Sequence, residues 1–204
     1  MACSLLSSAP AAAQEMVAAP PSDRGYHRHD GTFLRFAATG GRLGMSESTA
    51  AAQLSASGNA SGFGASIGGA VIENLIVFGE IAALDARADV TVTGTPYDAQ
   101  GAALSLWWFG PGIAYYLEPT NIFFSATIVF SKLDLLADDG TLLTRTSRGV
   151  GLNVTAGKEW WISANWGLGL GVQLQYGRMH DWVPDPSPLV HANLISLLAT
   201  ATFN

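Results

Sequence analysis

Between Gly149 and Gly177, large apolar positions alternate with small or polar ones, twice over, on either side of a short aromatic break. Leu168, Leu170, Val172, Leu174 and Tyr176 fall on one side, with Gly167, Gly169, Gly171, Gln173, Gln175 and Gly177 on the other. Before the break, Val150, Leu152, Val154 and Ala156 oppose Gly149, Gly151, Asn153, Thr155 and Gly157. Period two sends successive side chains to opposite faces of a strand. A helix would scatter the leucines round its circumference and lose roughly 0.5–1 kcal/mol at each interior glycine. The stretch therefore predicts a β-hairpin with one large apolar face and one face of glycine and uncharged polar residues. That is a wall with hydrocarbon outside and a narrow interior. Trp166 and Tyr176 share the apolar face; at ~3.3 Å per residue and a tilt of ~40° they bound a band ~25 Å tall, the height of the apolar belt of a transmembrane barrel.

The same alternation recurs along the chain. A first strand over about Thr32 to Thr39 turns Leu34, Phe36 and Ala38 outward and Arg35 inward. Further strands are predicted over Ser61 to Val71, Leu75 to Leu84, Ala103 to Tyr116, Ile122 to Ser131 and Asn193 to Phe203, flanking the two of the hairpin. The third places Glu80 inside, together with an awkwardly large Phe78. Connections alternate between short (Ile72 to Asn74, Leu117 to Asn121, Lys158 to Asn165) and long (Gly40 to Asn59, Asp85 to Gly101, Lys132 to Arg148, Arg178 to Pro188). Together these predict an all-β fold: an eight-stranded antiparallel up-and-down transmembrane β-barrel over residues 31–204. Its short turns face the periplasm and its four long loops face outward.

Composition sharpens this reading. Charged residues are 13% of the chain against a typical ~25%, and 23 of 204 residues are glycine, so apolar surface is over-supplied for a soluble protein. No apolar run reaches the ~18 residues of a spanning helix; Gly101 to Leu117 comes nearest and is broken by Gly110, Pro111 and Gly112. A membrane protein without such helices must close a barrel. The net charge of −6 with scattered basic residues argues against nucleic-acid binding. Residues 1–13, ending in Ala11, Ala12 and Ala13, read as a signal-peptide remnant lacking its basic start, or else as an alanine-rich tail; Cys3 lies there. Residues 14–30, with Pro20 and Pro21, read as a flexible lead-in.

Three segments also carry a resemblance: YHRHDGTFLR at Tyr26 to Arg35, FGPGIAYYLEPTNIFFS at Phe109 to Ser125, and GKEWWISANWGLG at Gly157 to Gly169. They resemble uncharacterised Gram-negative outer-membrane β-barrel proteins, broadly similar to the small OmpA and OmpX type. The resemblance spans about Tyr26 to Asn204 and implies a fold and a location, the cell outer membrane, without an activity. It also implies surrounding outer-membrane lipid and insertion by the barrel-assembly machinery. The usual terminal aromatic residue is here followed by one more, as Phe203 precedes Asn204.

Candidate chemistry is sparse. Arg35 and Glu80 are the two charges within the predicted strands and invite pairing in the lumen, as a static pair or a gate. An aromatic girdle is expected from Tyr115, Tyr116, Trp160, Trp161, Trp166 and Phe203, beside Phe124, at the periplasmic ends and from Trp108 and Tyr176, beside Phe130, at the outer ends. His27, His29 and Asp30 have the chemistry of zinc ligands but no evident fourth ligand, so a surface cluster is the simpler reading. His180, Asp181, Ser187 and His191 hold the parts of an acyl-transfer site at no recognisable spacing. Gly110 to Gly112 lacks the lysine and helix of a phosphate loop and reads as a strand bend. The expectation is a monomeric barrel with a structural or surface-interaction role, a largely filled lumen, no cofactor and no catalysis. Its alternatives are a lipid-modifying barrel enzyme and a soluble lipocalin-like ligand binder, in which the same alternation would be turned inside out.

Overall fold

The structure is a computed structural model that describes residues 29–49, 52–93, 95–147, 149–181 and 188–204, with backbone alone over 95–100. The expected leader, Cys3, His27 and Ser187 lie outside this set.

Among the described residues, nine strands run in chain order: β1 Thr32–Ser48, β2 Gln53–Ile72, β3 Leu75–Val92, β4 Thr95–Leu117, β5 Ile122–Leu136, β6 Leu142–Arg145, β7 Gly149–Trp161, β8 Trp166–His180 and β9 Leu189–Phe203. Every long strand pairs antiparallel with its neighbours, β1 pairs with β9 and β4 with β5, and the sheet closes. β6 is a short hairpin arm on β5, so the barrel itself has eight staves. Paired residues followed once round the wall, from Phe36 through Ala65, Ile81, Phe109, Phe130, Val150, Arg178 and His191, return to β1 at Ser46, ten residues displaced. Such a shear tilts the strands by ~40° and leaves an interior that side chains fill. Tight turns join the ends nearest Asn74 and Asn121, both in the left-handed conformation that asparagine tolerates.

The predicted alternation holds, and in the half of the barrel near these turns it runs apolar outward. Phe63 is 76% exposed and Leu197 68%, in a continuous outer band with Ile67, Ile81, Ile128, Leu170 and Leu174. A soluble lipocalin would bury these residues. Thr127, Asn153, Gln173, Gln175, Ser196, Thr200 and Thr202 are buried on the opposite face.

Beyond the band the pattern inverts. On β3, Ala82, Leu84, Ala86, Ala88 and Val90 point inward and are buried, while Asp85, Arg87 and Asp89 point outward and are exposed. Leu43, Met45, Leu104, Leu106, Leu133, Leu135, Met179, Val190 and Leu194 complete one apolar core inside this second storey. The expected long loops from Gly40 to Asn59 and from Asp85 to Gly101 are therefore mostly strand: β1 and β2 pair out to Ser48 and Gln53, and β3 and β4 out to Val92 and Thr95. β5 likewise runs to Leu136 and β8 to His180, while β7 extends at its turn end to Trp161. Once both polarities have exchanged faces, the strands continue as those of a water-soluble barrel do. Apolar burial then drives them, at roughly 25 cal/mol per Å².

Candidate functional site

The buried polar side chains of the membrane-level storey converge on two charged centres, an Arg35–Glu159 pair and Glu80. Arg35 projects from β1 into the lumen, where its Nη2 donates to Glu159 Oε1 at 2.8 Å and its Nε to Thr202 Oγ1 at 3.2 Å. Arg35 also donates to the Tyr116 hydroxyl, which in turn donates to Glu159 Oε2 at 3.2 Å, and Thr202 Oγ1 donates to Glu159 Oε1 at 2.7 Å. The Phe123 ring lies 4.2 Å from the guanidinium carbon, adding cation–π attraction. Each charge is thus met by an opposite charge and by hydrogen bonds, the condition under which a buried ion pair persists.

The expected partner of Arg35 was Glu80; the structure gives it Glu159 instead. The alternation that begins at Gly149 continues through Gly157 to Glu159, so β7 carries this carboxylate inward, where the sequence reading had already ended the strand. Glu80 does point inward but makes a different set of contacts. Its Oε1 accepts from Trp108 Nε1 at 2.7 Å and Asn153 Nδ2 at 3.0 Å, and its Oε2 accepts from Thr127 Oγ1 at 3.5 Å. Between the two centres lies a cavity of about 30 Å³, bordered by Arg35, Glu80, Ser66, Gln173 and Thr200. That is the scale of one or two water molecules.

Both ends of this polar section are stoppered. Above it stands the apolar core of the outer storey. Below it, Phe33, Ile76, Phe78, Ala114, Tyr116 and Phe123 pack together. Phe78 fits because residue 112 is glycine: a Cβ there would stand 2.6 Å from the Phe78 ring. His29, just before β1, stacks on Tyr116 at 3.5 Å between centroids and lies 5.1 Å from Trp161. Burial holds its imidazole below the ordinary value. The expected surface cluster is corrected here, since His29 is buried; His27 lies outside the described residues, and among those described no group of three or more His, Cys, Asp or Glu is placed to hold a metal.

The girdle needs two corrections. Trp108 and Tyr116 are lumen residues, 1% and 0% exposed, because β4 turns its even-numbered positions inward. Their neighbours Trp107 and Tyr115 take the outward places, with Trp107 stacked against Phe109, and Phe109 tilted against Phe130, at the outer margin of the band. Trp160, Trp166 and Tyr176 are exposed as expected, Phe203 is half-buried against Trp166, and Trp161 is half-buried beside His29. Gly110 to Gly112 lies within β4, and Pro111 faces outward opposite Gly79.

Of the candidate acyl-transfer residues, Ser187 lies outside the described residues. His191 Nδ1 is 2.7 Å from the Tyr176 hydroxyl, Asp181 bridges to Thr146, and His180 is exposed on the wall.

No family model and no curated protein matches the sequence. Among solved structures, the chain is similar to Neisserial surface protein A at 16% identity, over 84% of this chain and 96% of that one, with a TM-score of 0.52. It is also similar to the outer membrane protein AlkL at 12% identity, over 92% and 96%, with a TM-score of 0.47. The first likeness bears on architecture alone, and there it agrees with the closed wall described above: this chain has the eight-stranded transmembrane fold of the small outer-membrane β-barrels that its sequence resembles.

Proposed function

We propose that this protein is an integral monomer of the Gram-negative outer membrane, inserted by the barrel-assembly machinery. In this reading it is a closed, non-catalytic barrel that anchors a stiff surface projection rather than conducting solutes. The observation that carries it is the stoppered lumen: an ion pair and hydrogen-bonded carboxylates at membrane level, enclosed by an aromatic plug below and an apolar core above. A pore needs a continuous polar path, and side chains occupy the one an eight-stranded wall offers. What the protein displays outward is the second storey, whose hairpins between β1 and β2 and between β3 and β4 end in tight connections rather than long loops. Its role is structural or interactive, the surface being a rigid polar wall.

Fractionation with heat-modifiable gel mobility tests the location, and planar-bilayer recording tests the closed lumen. Expected are a compact outer-membrane band and no steady current; large stable single-channel currents from the folded protein would overturn the reading.

A further inference from the structure

The charges inside the membrane-level storey do not balance. Among the described residues its lumen holds Arg35, Glu159 and Glu80, one cation against two carboxylates. Arg35 is taken up by Glu159 at 2.8 Å, with Tyr116 and Thr202 beside it. Glu80 receives only neutral donors. Trp108 and Asn153 both donate to its Oε1, which leaves Oε2 with Thr127 Oγ1 at a long 3.5 Å. Glu80 stands within the apolar band, next to outward Ile81 and opposite Ser66, whose neighbour Ile67 is also exposed, so hydrocarbon surrounds the wall at its height. A charge enclosed at that level needs a counter-charge. We propose that one sodium ion provides it, held in the cavity beside Glu80 and occluded by the stoppers above and below.

The cavity, of about 30 Å³, is bordered by Glu80, Ser66, Gln173 and Thr200. Carboxylate, hydroxyl and amide oxygens are the hard donors that alkali and alkaline-earth cations take. Arg35 borders it too, with Nε and Nη2 committed to Thr202, Glu159 and Tyr116. Around Glu80 the lumen is short of donors rather than acceptors. Asn153 Oδ1 and Gln175 Oε1, on paired residues of β7 and β8, and Thr200 Oγ1 are buried without a hydrogen-bond partner among the described residues. Two of these three are amide carbonyls, which only accept.

Size and charge choose the ion. Calcium takes about six to eight oxygens and magnesium gives up its water reluctantly, so neither suits a space on the scale of one or two water molecules. Either would also leave the lumen with a net positive charge, whereas a single positive charge restores neutrality. One carboxylate among neutral oxygens is too few for a transition metal and suffices for an alkali ion. Caesium is too large for the space. Occlusion of the ion rests on the closed-lumen reading above, which bilayer recording reports separately; the effect of sodium on stability does not depend on it.

The test is urea unfolding of the full chain from dilauroyl phosphatidylcholine vesicles at constant pH and ionic strength, with sodium chloride replaced stepwise by N-methylglucamine chloride or caesium chloride. Once sodium exceeds its dissociation constant, each tenfold rise is expected to lower the unfolding constant about tenfold, with no such effect from caesium. Elemental analysis of the desalted, folded protein is expected to find one sodium per chain. Glu80→Gln keeps the shape and one hydrogen-bonding oxygen without the charge, and abolishes both signals. Asp89→Asn, exposed on the outer storey, leaves them intact, and heat-modifiable mobility reports the folding of each variant. Parent stability indifferent to sodium would show that a proton neutralises Glu80 instead, and would overturn the proposal. An equal response to caesium, or one that survives Glu80→Gln, would reduce the effect to ionic screening and overturn it as well. The parent's ion series and sodium content decide the matter even where Glu80→Gln does not fold.

Discussion

On β3, Ile81 and Asp85 occupy the same outward face four residues apart, and Glu80 and Leu84 repeat the exchange inward, Glu80 hydrogen-bonded in a polar lumen and Leu84 packed in an apolar core. One continuous strand thus serves two solvents. At hydrocarbon level it must show apolar side chains outward, so the lumen is left for polar groups that satisfy one another. In the outer storey, water takes the place of hydrocarbon and the apolar side chains withdraw to the axis. The comparison teaches that barrel strands are defined by alternation alone, and that which face is apolar reports the surroundings at that height. The exchange falls at the aromatic margin of Trp107, Phe109, Phe130 and Tyr176, beyond which Asp85, Lys132, Asp134 and Arg178 appear outward.

Mutations that respect or violate this division should differ sharply. The largest loss is expected in the polar lumen: Glu159→Ala leaves Arg35 buried without its carboxylate and should cost about 3–5 kcal/mol, read by urea unfolding from liposomes. The double substitution Arg35→Met with Glu159→Leu should recover much of that loss, since an apolar pair of similar volume needs no counter-charge. In the outer storey the sensitive positions are apolar. Leu133→Ala removes a fully buried side chain and should cost about 2–5 kcal/mol. Next comes the exterior: Leu170→Arg, within the band, should cost roughly 2–4 kcal/mol, whereas Asn59→Arg, equally outward but in the outer storey, should stay within about 0.5 kcal/mol. Comparable penalties at residues 59 and 170 would erase the distinction between the storeys.

The membrane-level storey was legible in the sequence because its signal has a fixed sign. Ile122, Phe124, Ala126, Ile128 and Phe130 alternate with smaller or less exposed residues, and their strand was correctly phased. The outer storey was misread as loop because Asp85, Arg87 and Asp89 look like loop residues when every outward position is required to be apolar. Alternation there is just as regular, with Leu84, Ala86, Ala88 and Val90 between them. The same assumption ended β7 at Gly157 and so hid Glu159, the partner of Arg35, which lies on the inward phase of its own strand. In β4 the adjacent pairs Trp107–Trp108 and Tyr115–Tyr116 defeat a pattern reading, since each pair supplies an aromatic residue to both faces. Only the pairing of β4 with β3 and β5 settles which residue faces outward.

The smallest effect concerns the one carboxylate of β1 that breaks the rule of the outer storey. Glu47 faces inward there and is buried, with Thr144 Oγ1 donating to its Oε2 at 3.2 Å and Asp181 close enough to act on it electrostatically. Burial, joined by the Asp181 charge and only partly offset by Thr144, raises its pKa above the ordinary 4.5. For an acid raised in this way, the folded state binds the proton more tightly than the unfolded chain does. Its stabilising contribution is therefore complete below the ordinary value and is lost as pH climbs through the raised one. Glu47→Gln keeps a hydrogen-bonding side chain of the same shape without the charge. Urea unfolding at neutral pH should find the variant slightly more stable than the parent, and the gap should close on acidification to about pH 4. A gap that persists there would mean that the charge is not its cause, and a variant less stable at neutral pH would mean that the charged form of Glu47 belongs to the fold and that the interior of the outer storey is less apolar than its leucines imply.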